Sequence, residues 1–308
     1  MKKGLLLVNT GSPKTPTTAD VKAYLKVFLS DQNVIEMPRW VWQPILRGFV
    51  LPLRSWRSAT YYQRIWTRAG SPLVAYTQIM TANVQAELPD WDVRFAMSYS
   101  EPRIADQMQD MKDKGCDEIN VLPMYPQYTQ STHKAIYDQA DASGIEYQKI
   151  DNFYREPEYQ RIMADKISQY IDKQEYDEVL FSYHGIPTAM VKHGDPYQKE
   201  CEETTEGILS QIPAIKAISK TVYQSKFGPA PWLKPYLKNY LTEMIQMGKR
   251  RVLIVAPSFI VDGLETLEEN GVQNYQTFKE NGGDVFHLVE PLNGDKRFAK
   301  FLADLVMK

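Results

Sequence analysis

Short apolar runs that alternate with amphipathic helical patterns constrain the fold of this chain more than any other feature. The apolar runs are Gly4–Thr10, Val93–Ser98, Glu118–Leu122, Glu178–Tyr183, Ile218–Val222 and Arg251–Ala256. Strands that are apolar on both faces are typical of parallel sheets covered by helices on each side. The helical patterns between them include Thr18–Leu29, Ile104–Lys114, Tyr159–Ile171 and Leu233–Met247. This alternation predicts an α/β fold built from βαβ units.

Two of these strands carry a similar sequence. LLLVNTGSP and VLFSYHGIP both end in x-Gly-x-Pro, with Thr10 and His184 directly before the glycine. In each half a later strand leads into a proline-containing loop, at Tyr125 and at Ser258. Ligands bind at the carboxyl ends of parallel strands, so all four residues are expected at such an edge. A chance likeness of two strand–turn motifs is the alternative.

The internal likeness predicts two similar Rossmann-like domains with parallel sheets, over residues 1–150 and 151–308. The first half is the longer one, and a tryptophan-rich insertion at about 36–76 accounts for the excess. The two sets of strand ends are then expected to face each other across a ligand cleft.

Composition and charge exclude several other classes of protein. The chain has 308 residues, 43% of them hydrophobic, and a formal net charge of −2, which suits a folded globular protein and no polyanionic partner. Cys116 and Cys201 match no zinc or iron–sulfur spacing and form no disulfide framework, so a reducing cytoplasm is expected. The apolar run Leu5–Val8 is too short for an export signal, and no stretch is long enough to span a membrane.

His184 stands out among the four histidines because it lies at the abrupt end of a buried strand. The following Gly185 can adopt a positive φ, and Pro187 prevents the strand from continuing. Such a turn presents a side chain at the rim of a sheet. From spacing alone, an active-site histidine and a histidine that only ends a strand remain equally good interpretations.

The segment APSFIVDGLETLEENG is the second candidate. Asp262 precedes a helical pattern as an N-cap would, and Glu265 and Glu269 are four residues apart on one face, with Glu268 beside them. Like charges at this spacing repel slightly, so a purely structural helix gains nothing from them. A solvated acidic first turn is the simpler interpretation of the segment taken alone. GxGxxG, GxxxxGK[ST] and GxSxG are all absent, which argues against dinucleotide, P-loop and serine-hydrolase chemistry.

Eight segments together resemble one family over essentially the whole chain. They are LLLVNTGSP, VKAYLKVFLSD, RIWTRAGSPLVAYT, VLPMYPQY, FSYHGIP, GDPY, YQSKFGPAPWLKPYL and DGLETLEE. In this order and spacing they are similar to bacterial ferrochelatases. The resemblance implies a chelatase-like fold with a porphyrin cleft between the halves. It also implies a lyase of haem biosynthesis that inserts Fe²⁺, as substrate, into protoporphyrin IX or coproporphyrin III.

The resemblance also implies roles for individual residues. His184 and Glu265 match the catalytic pair, and Glu269 joins them as a metal-binding residue. Residues expected to contact the porphyrin are Thr10, Tyr62, Ser71 and Tyr125. A neutral imidazole suits either proton acceptance or metal ligation, so the role of His184 stays open.

Three positions depart from the family pattern. Thr10 replaces a tyrosine that ligates the metal in some relatives of the coproporphyrin-using type. Gln273 ends an acidic line that continues in several relatives, and Ser258 replaces a glycine. With two cysteines in the chain and no cysteine-bearing extension, no iron–sulfur cluster is expected.

Residues 37–57, MPRWVWQPILRGFVLPLRSWR, resemble the family's apolar lip over the porphyrin. Arg39, Arg47 and Arg54 suit porphyrin propionates or anionic lipid headgroups, which makes peripheral membrane contact a hypothesis. Ordinary core packing of Trp40 and Trp42 is the alternative.

Two other functions remain as alternatives to a cytoplasmic, monomeric ferrochelatase. One is a chelatase for another metal and tetrapyrrole, although such relatives commonly carry further histidines at the cleft. The other is a non-catalytic haem or porphyrin carrier, which needs a fixed axial ligand.

Overall fold

Strands and helices alternate throughout the computed structural model, which describes residues 2–308. The strands are β1 Lys3–Asn9, β2 Asp92–Met97, β3 Glu118–Pro123, β4 Gln148–Lys149, β5 Glu178–His184, β6 Ser219–Gln224, β7 Arg251–Val255 and β8 Val285–Leu288. The α-helices are α1 Thr18–Phe28, α2 Arg39–Ile45, α3 Leu51–Ile65, α4 Pro72–Glu87, α5 Ile104–Asp113, α6 Ala135–Asp141, α7 Pro157–Ile171, α8 Thr188–Lys192, α9 Tyr197–Gln211, α10 Leu237–Gln246, α11 Tyr275–Glu280 and α12 Lys296–Met307. Leu46–Val50, Gln130–Lys134 and Leu264–Asn274 are π-helices, and Pro213–Ile218 is a 3₁₀-helix.

The chain forms two compact units. The first contains the residues up to Tyr125, Thr129–Asn152 and Asn293–Lys308, and the second contains Pro126–Tyr128 and Phe153–Leu292. This division differs from the expected domain 151–308, because the C-terminal segment belongs to the first unit. There α12 packs against α4, and Asn83 Nδ2 donates to the Gly294 carbonyl at 2.9 Å.

The first unit holds a parallel four-stranded sheet in the order β2-β1-β3-β4. Its central strand β1 is apolar on both faces, and Leu5, Leu6, Leu7 and Val8 are fully buried. On one side Leu6 and Val8 pack in a cluster with Met108 of α5 and Ile136 of α6. Burial on both faces is therefore the physical reason for the uninterrupted apolar run.

The second unit holds another parallel sheet, in the order β6-β5-β7-β8. The order matches that of the first unit, with β5 in the place of β1 and β7 in the place of β3. The expected pair of similar parallel-sheet halves is confirmed. Leu180 of β5 packs with Val252 and Ile254 of β7 and with Leu241 of α10.

Several elements differ from the sequence-based expectation. β4 and β8 are short edge strands that the apolar pattern did not predict. The helical pattern of Leu233–Met247 becomes helix only from Leu237, because Pro235 disfavours helical backbone at the residue before it. The acidic segment is a π-helix rather than an α-helix.

Within residues 2–308, no helix combines the length and the apolar character that crossing a membrane requires.

Candidate active site

His184 is the last residue of the central strand of the second unit. It pairs with Gln224 of β6 in the parallel register, and its side chain is half-buried at the carboxyl end of the sheet. Its Nδ1 lies 2.6 Å from the Gly185 carbonyl oxygen, which can only accept, so Nδ1 carries the proton. In the neutral ring, Nε2 then keeps its lone pair and can accept a proton or bind a cation.

Gly185 follows His184 for a different reason than the sequence suggested. Its φ is not positive, so left-handed backbone is not what requires a glycine. A Cβ at this position would lie 3.0 Å from the Gln224 carbonyl oxygen and 3.1 Å from the Trp232 ring. The Gly185 N–H also donates to that carbonyl at 2.8 Å. Close approach of β5 to β6 therefore excludes a side chain directly after His184.

The π-helix Leu264–Asn274 begins shortly after β7 and carries two rows of polar residues. Glu265, Glu269 and Gln273 are half-buried along one row. The other row, Thr266, Asn270 and Asn274, is buried. Residues four apart lie on one face of a helix, so Glu265 and Glu269 share a face, as the sequence predicted. A π-helix is rare and often marks a functional site.

Asp262 is not the N-cap that its position suggested. Gly263 occupies the cap, and Asp262 accepts instead from the Thr266 hydroxyl at 2.7 Å. The same hydroxyl accepts from the Gly263 N–H at 3.1 Å. Thr266 thus stabilises the first turn, because its hydroxyl reaches both residues that precede the helix.

Sequence reasoning missed two residues that hold Glu269. The Ser225 N–H donates to one Glu269 oxygen at 2.7 Å, and Gln224 Nε2 donates to the other at 3.0 Å. The Ser225 hydroxyl donates to that second oxygen as well. Ser225 has a φ of 64°, which turns the chain at the end of β6 toward the carboxylate. Both residues lie in the segment YQSKFGPAPWLKPYL. The signal that could have identified them is that this segment follows the predicted strand Ile218–Val222, where ligand-binding residues are expected.

In the first unit, Thr10 and Tyr125 lie together at the carboxyl ends of β1 and β3. The Thr10 N–H donates to the Tyr125 hydroxyl at 2.9 Å, and the two hydroxyls share a hydrogen bond. Tyr125 also donates to Asn9 Oδ1 at 2.8 Å, and Asn9 Nδ2 donates to the Thr77 hydroxyl at 3.2 Å. Both expected porphyrin contacts remain half-buried at this edge.

Tyr62 and Ser71 are placed differently from Thr10 and Tyr125. Tyr62 on α3 is only 8% exposed and packs edge-on against Tyr24, with ring centroids 6.5 Å apart. The Tyr24 hydroxyl in turn donates to the Gly11 carbonyl at 3.1 Å. Ser71 is buried at the N-cap of α4. These two expected contacts are thus largely enclosed within the first unit.

The predicted lip forms one almost continuous helical segment, from α2 through the π-helix Leu46–Val50 into α3. Large apolar side chains on it are exposed, namely Trp40, Ile45, Phe49, Leu53 and Trp56. The last four recur at a spacing of three or four residues and form a stripe. Trp42, by contrast, is 8% exposed and donates from Nε1 to the Leu29 carbonyl at 2.6 Å. Core packing therefore applies to Trp42 and not to Trp40.

Within residues 2–308, no three histidine, cysteine, aspartate or glutamate side chains are arranged to hold a metal ion. His184, Glu265 and Glu269 thus lie at the same end of the second unit without forming a ready-made three-ligand cluster.

Comparisons with known proteins give the family of the chain. The family model described as Ferrochelatase matches residues 2–308. The chain is 57% identical to a protein of Lactiplantibacillus plantarum named coproporphyrin III ferrochelatase, over 100% of this chain and 95% of that protein. It is 41% identical to a protein of that name from Lactococcus lactis subsp. cremoris, over 100% of this chain and 97% of that protein.

Solved structures share the fold at low sequence identity. SirB from Bacillus subtilis with Fe³⁺ has a TM-score of 0.58 at 11% identity, over 100% of this chain and 95% of that one. CbiX, described as the terminal enzyme for biosynthesis of siroheme in denitrifying bacteria, has a TM-score of 0.56 at 11% identity, over 99% and 98%. At this identity the likeness shows the fold alone.

Proposed function

Because the chain belongs to the ferrochelatase family, we propose that His184 and Glu265 carry out its reaction and that coproporphyrin III is its porphyrin. The activity itself is that of a lyase, which inserts Fe²⁺ into a porphyrin to make haem. Fe²⁺ and the porphyrin are both substrates. Metallation breaks two pyrrole N–H bonds, forms four Fe–N bonds and releases two protons.

His184 is proposed as the acceptor of a pyrrole proton. The single observation that supports this role is the hydrogen bond from Nδ1 to the Gly185 carbonyl, which leaves the Nε2 lone pair for the substrate. That bond also orients the imidazole, as a base needs to be oriented for proton transfer. Protonation of Nε2 produces an imidazolium in which Nδ1 keeps the same partner. The ring can therefore gain and lose a proton at Nε2 without changing its hydrogen bond to Gly185.

Glu265 and Glu269 are proposed to present oxygen ligands to the incoming Fe²⁺ and to receive the second proton. Glu269 is held by donors from Gln224 and Ser225, so its position is fixed. Glu265 lies four residues before Glu269, closer to β7, and shares the same face of the π-helix. We propose that, of the two glutamates, Glu265 acts nearer to the pyrrole nitrogens that lose their protons.

Coproporphyrin III has four propionates where protoporphyrin IX has two, so it requires more cationic partners. Residues 37–86 contain six arginines, no lysine and no acidic residue. Arginine binds carboxylates in a bidentate manner, which suits propionate recognition. The two relatives above carry coproporphyrin III in their names. Together these observations favour coproporphyrin III, with Thr10, Tyr62, Ser71 and Tyr125 as the proposed porphyrin contacts.

The exposed stripe of the lip supports a second property, peripheral contact of a monomer with a membrane surface. Tryptophan and phenylalanine are favoured at the bilayer interface, and arginine is attracted by anionic headgroups. Phe49, Leu53 and Trp56 are 60–70% exposed, and Arg47 and Arg57 flank them in the chain. A cytoplasmic enzyme with a membrane-facing lip is the resulting proposal for its location.

Anaerobic turnover tests the proposal directly. The intact protein, His184→Ala and His193→Ala would each be mixed with Fe²⁺ and either coproporphyrin III or protoporphyrin IX. His193 is an exposed residue after α8 and serves as the matched control. We expect many turnovers with coproporphyrin III, a rate at least about 100-fold lower for His184→Ala, and normal turnover for His193→Ala.

Other outcomes would identify the alternatives. Spectral change that stops at one equivalent of porphyrin would indicate a carrier. Preference for protoporphyrin IX would contradict the proposed substrate while leaving the activity intact. Full activity of His184→Ala would show that another group accepts the proton.

A further inference from the structure

The side-chain amide of Gln224 connects the strand that ends in His184 to the helix that carries the two glutamates. Gln224 is 4% exposed at the end of β6. Its Oε1 accepts from the Ser182 hydroxyl at 2.7 Å and from Asn270 Nδ2 at 2.8 Å. Its Nε2 donates to the Glu265 carbonyl at 3.2 Å and to the Glu269 carboxylate at 3.0 Å. All four hydrogen-bonding positions of the amide are therefore used.

The backbone of Gln224 reinforces this connection. Its carbonyl accepts from the Gly185 N–H at 2.8 Å, directly after His184, and its Cα pairs with His184 in the sheet. One residue thus contacts β5 on both sides of His184 and the π-helix at Glu265 and Glu269. The network extends along the buried row of that helix, where Asn274 Nδ2 donates to Asn270 Oδ1 at 2.8 Å.

We infer that Gln224 is a positioning residue, which fixes Glu269 and the first turn of the π-helix at a set distance from His184. This inference rests on the proposed function. A buried network in which every member is paired rigidifies its surroundings, whereas one lost partner leaves costly unpaired groups. Since Gln224 is at the centre of the network, its removal frees the Glu269 carboxylate and the Glu265 carbonyl together. The kcat/KM for Fe²⁺ would then fall more than the affinity for the porphyrin.

Gln224→Met is the main test, because methionine keeps the length of the side chain and removes its hydrogen bonds. Supporting residues behind a metal site typically change affinity or activity about 10–100-fold. We expect the kcat/KM for Fe²⁺ to fall at least about 10-fold, with the KM for the porphyrin changed less than about two-fold. Gln224→Glu is the second variant. It keeps the acceptor toward Ser182 and Asn270 and places an acceptor against Glu269.

Gln127→Met is the matched control for loss of a buried amide. Gln127 is 1% exposed in the same unit, donates to the Thr204 hydroxyl at 2.8 Å and accepts from the Ser258 hydroxyl at 2.7 Å. We expect it to lower the thermal midpoint as Gln224→Met does, without changing the kcat/KM for Fe²⁺. An equal loss of activity in both variants would reduce Gln224 to a stabilising residue and overturn the inference.

A double-mutant cycle shows whether Gln224 acts through Glu269. In the Glu269→Ala background, Gln224→Met should lower the kcat/KM for Fe²⁺ by a smaller factor than it does in the wild type, because only the first turn at Glu265 is left for Gln224 to position. Independent, multiplying effects would overturn the inference. Absence of metallation by the wild-type protein would instead refute the proposed function, so the two failures are distinguishable. If Gln224→Met does not fold, unchanged Fe²⁺ kinetics of Gln224→Glu would overturn the inference by itself.

Discussion

Tyr125 and Thr10 follow two neighbouring strands of the first unit and are joined by two hydrogen bonds, one through the Thr10 N–H at 2.9 Å and one between their hydroxyls. Tyr125 also donates to Asn9 at 2.8 Å. The phenol thereby ties the end of β3 to the end of β1. The phenol lies at the carboxyl edge of the first sheet. In the second sheet, which has the same strand order, His184 lies at the corresponding carboxyl edge.

Replacing this phenol tests how much its hydrogen bonds contribute to stability and to porphyrin binding. Tyr125→Phe removes the partner of Thr10 and Asn9, and we expect the free energy of unfolding to fall by about 1–3 kcal/mol. Coproporphyrin affinity, measured by quenching of protein fluorescence, should weaken as well. Tyr147→Phe is the control, because that hydroxyl bonds the exposed Asp141 at 2.8 Å. Equal stability of Tyr125→Phe and the wild type would show that these hydrogen bonds do not stabilise the fold.

Gly185→Ala tests the close approach of β5 to β6. The new Cβ would lie 3.0 Å from the Gln224 carbonyl oxygen, and backbone cannot yield as a flexible side chain can. We expect a loss of about 1–3 kcal/mol in unfolding free energy, together with a lower kcat because His184 shifts. Gly48→Ala is the control, since a Cβ there meets nothing within 4 Å. Denaturant unfolding and turnover measure both effects, and an unperturbed Gly185→Ala would refute the steric argument.

The buried His133 predicts a pH dependence of stability. Burial lowers its pKa from 6.5 to about 3. Between these values the unfolded chain binds more protons than the folded protein, so stability falls as the pH falls through this window. From pH 7 to pH 5 this residue alone should cost about 2 kcal/mol. His133→Gln should remove that part of the slope, whereas His193→Gln, at an exposed position, should keep it. Parallel slopes for all three proteins would contradict the prediction.

The exposure of the two tryptophans in the lip predicts which of them contributes to binding a membrane surface. Trp40 is 80% exposed and Trp42 is buried, so their replacement should have opposite consequences. Trp40→Ser with Phe49→Ser should reduce co-sedimentation with vesicles that contain anionic lipid, at unchanged thermal stability. Trp42→Ser should lower the thermal midpoint, because it removes a buried ring and its bond to Leu29. No sedimentation of the wild type with such vesicles would end the membrane hypothesis.

The sequence predicted correctly whatever depends on local pattern. Strands buried on both faces require uninterrupted apolar runs, so the parallel sheets and the similar halves were visible in composition and order. The placement of His184 and Thr10 at strand ends followed from the same pattern. The spacing of Glu265 and Glu269 likewise placed both carboxylates on one helical face, whether that helix is α or π.

Other features depend on residues that are far apart in the chain. Gln224 and Glu269 are separated by 45 positions, and no local pattern links an amide at the end of a strand to a carboxylate on a later helix. The requirement for glycine at position 185 comes from the approach of β6, not from its own backbone angles. The burial of Trp42 beside the exposed Trp40 depends on the carbonyl of Leu29 in the segment after α1.

The sequence by itself thus determined the fold class and the family and supplied the side chains proposed to react, because buried strands and their ends have recognisable short sequence patterns. Only the tertiary structure decided which residues hold those side chains in place. Hydrogen bonds between separate elements carry out that positioning, and their geometry exists only after the sheet and the π-helix have packed together.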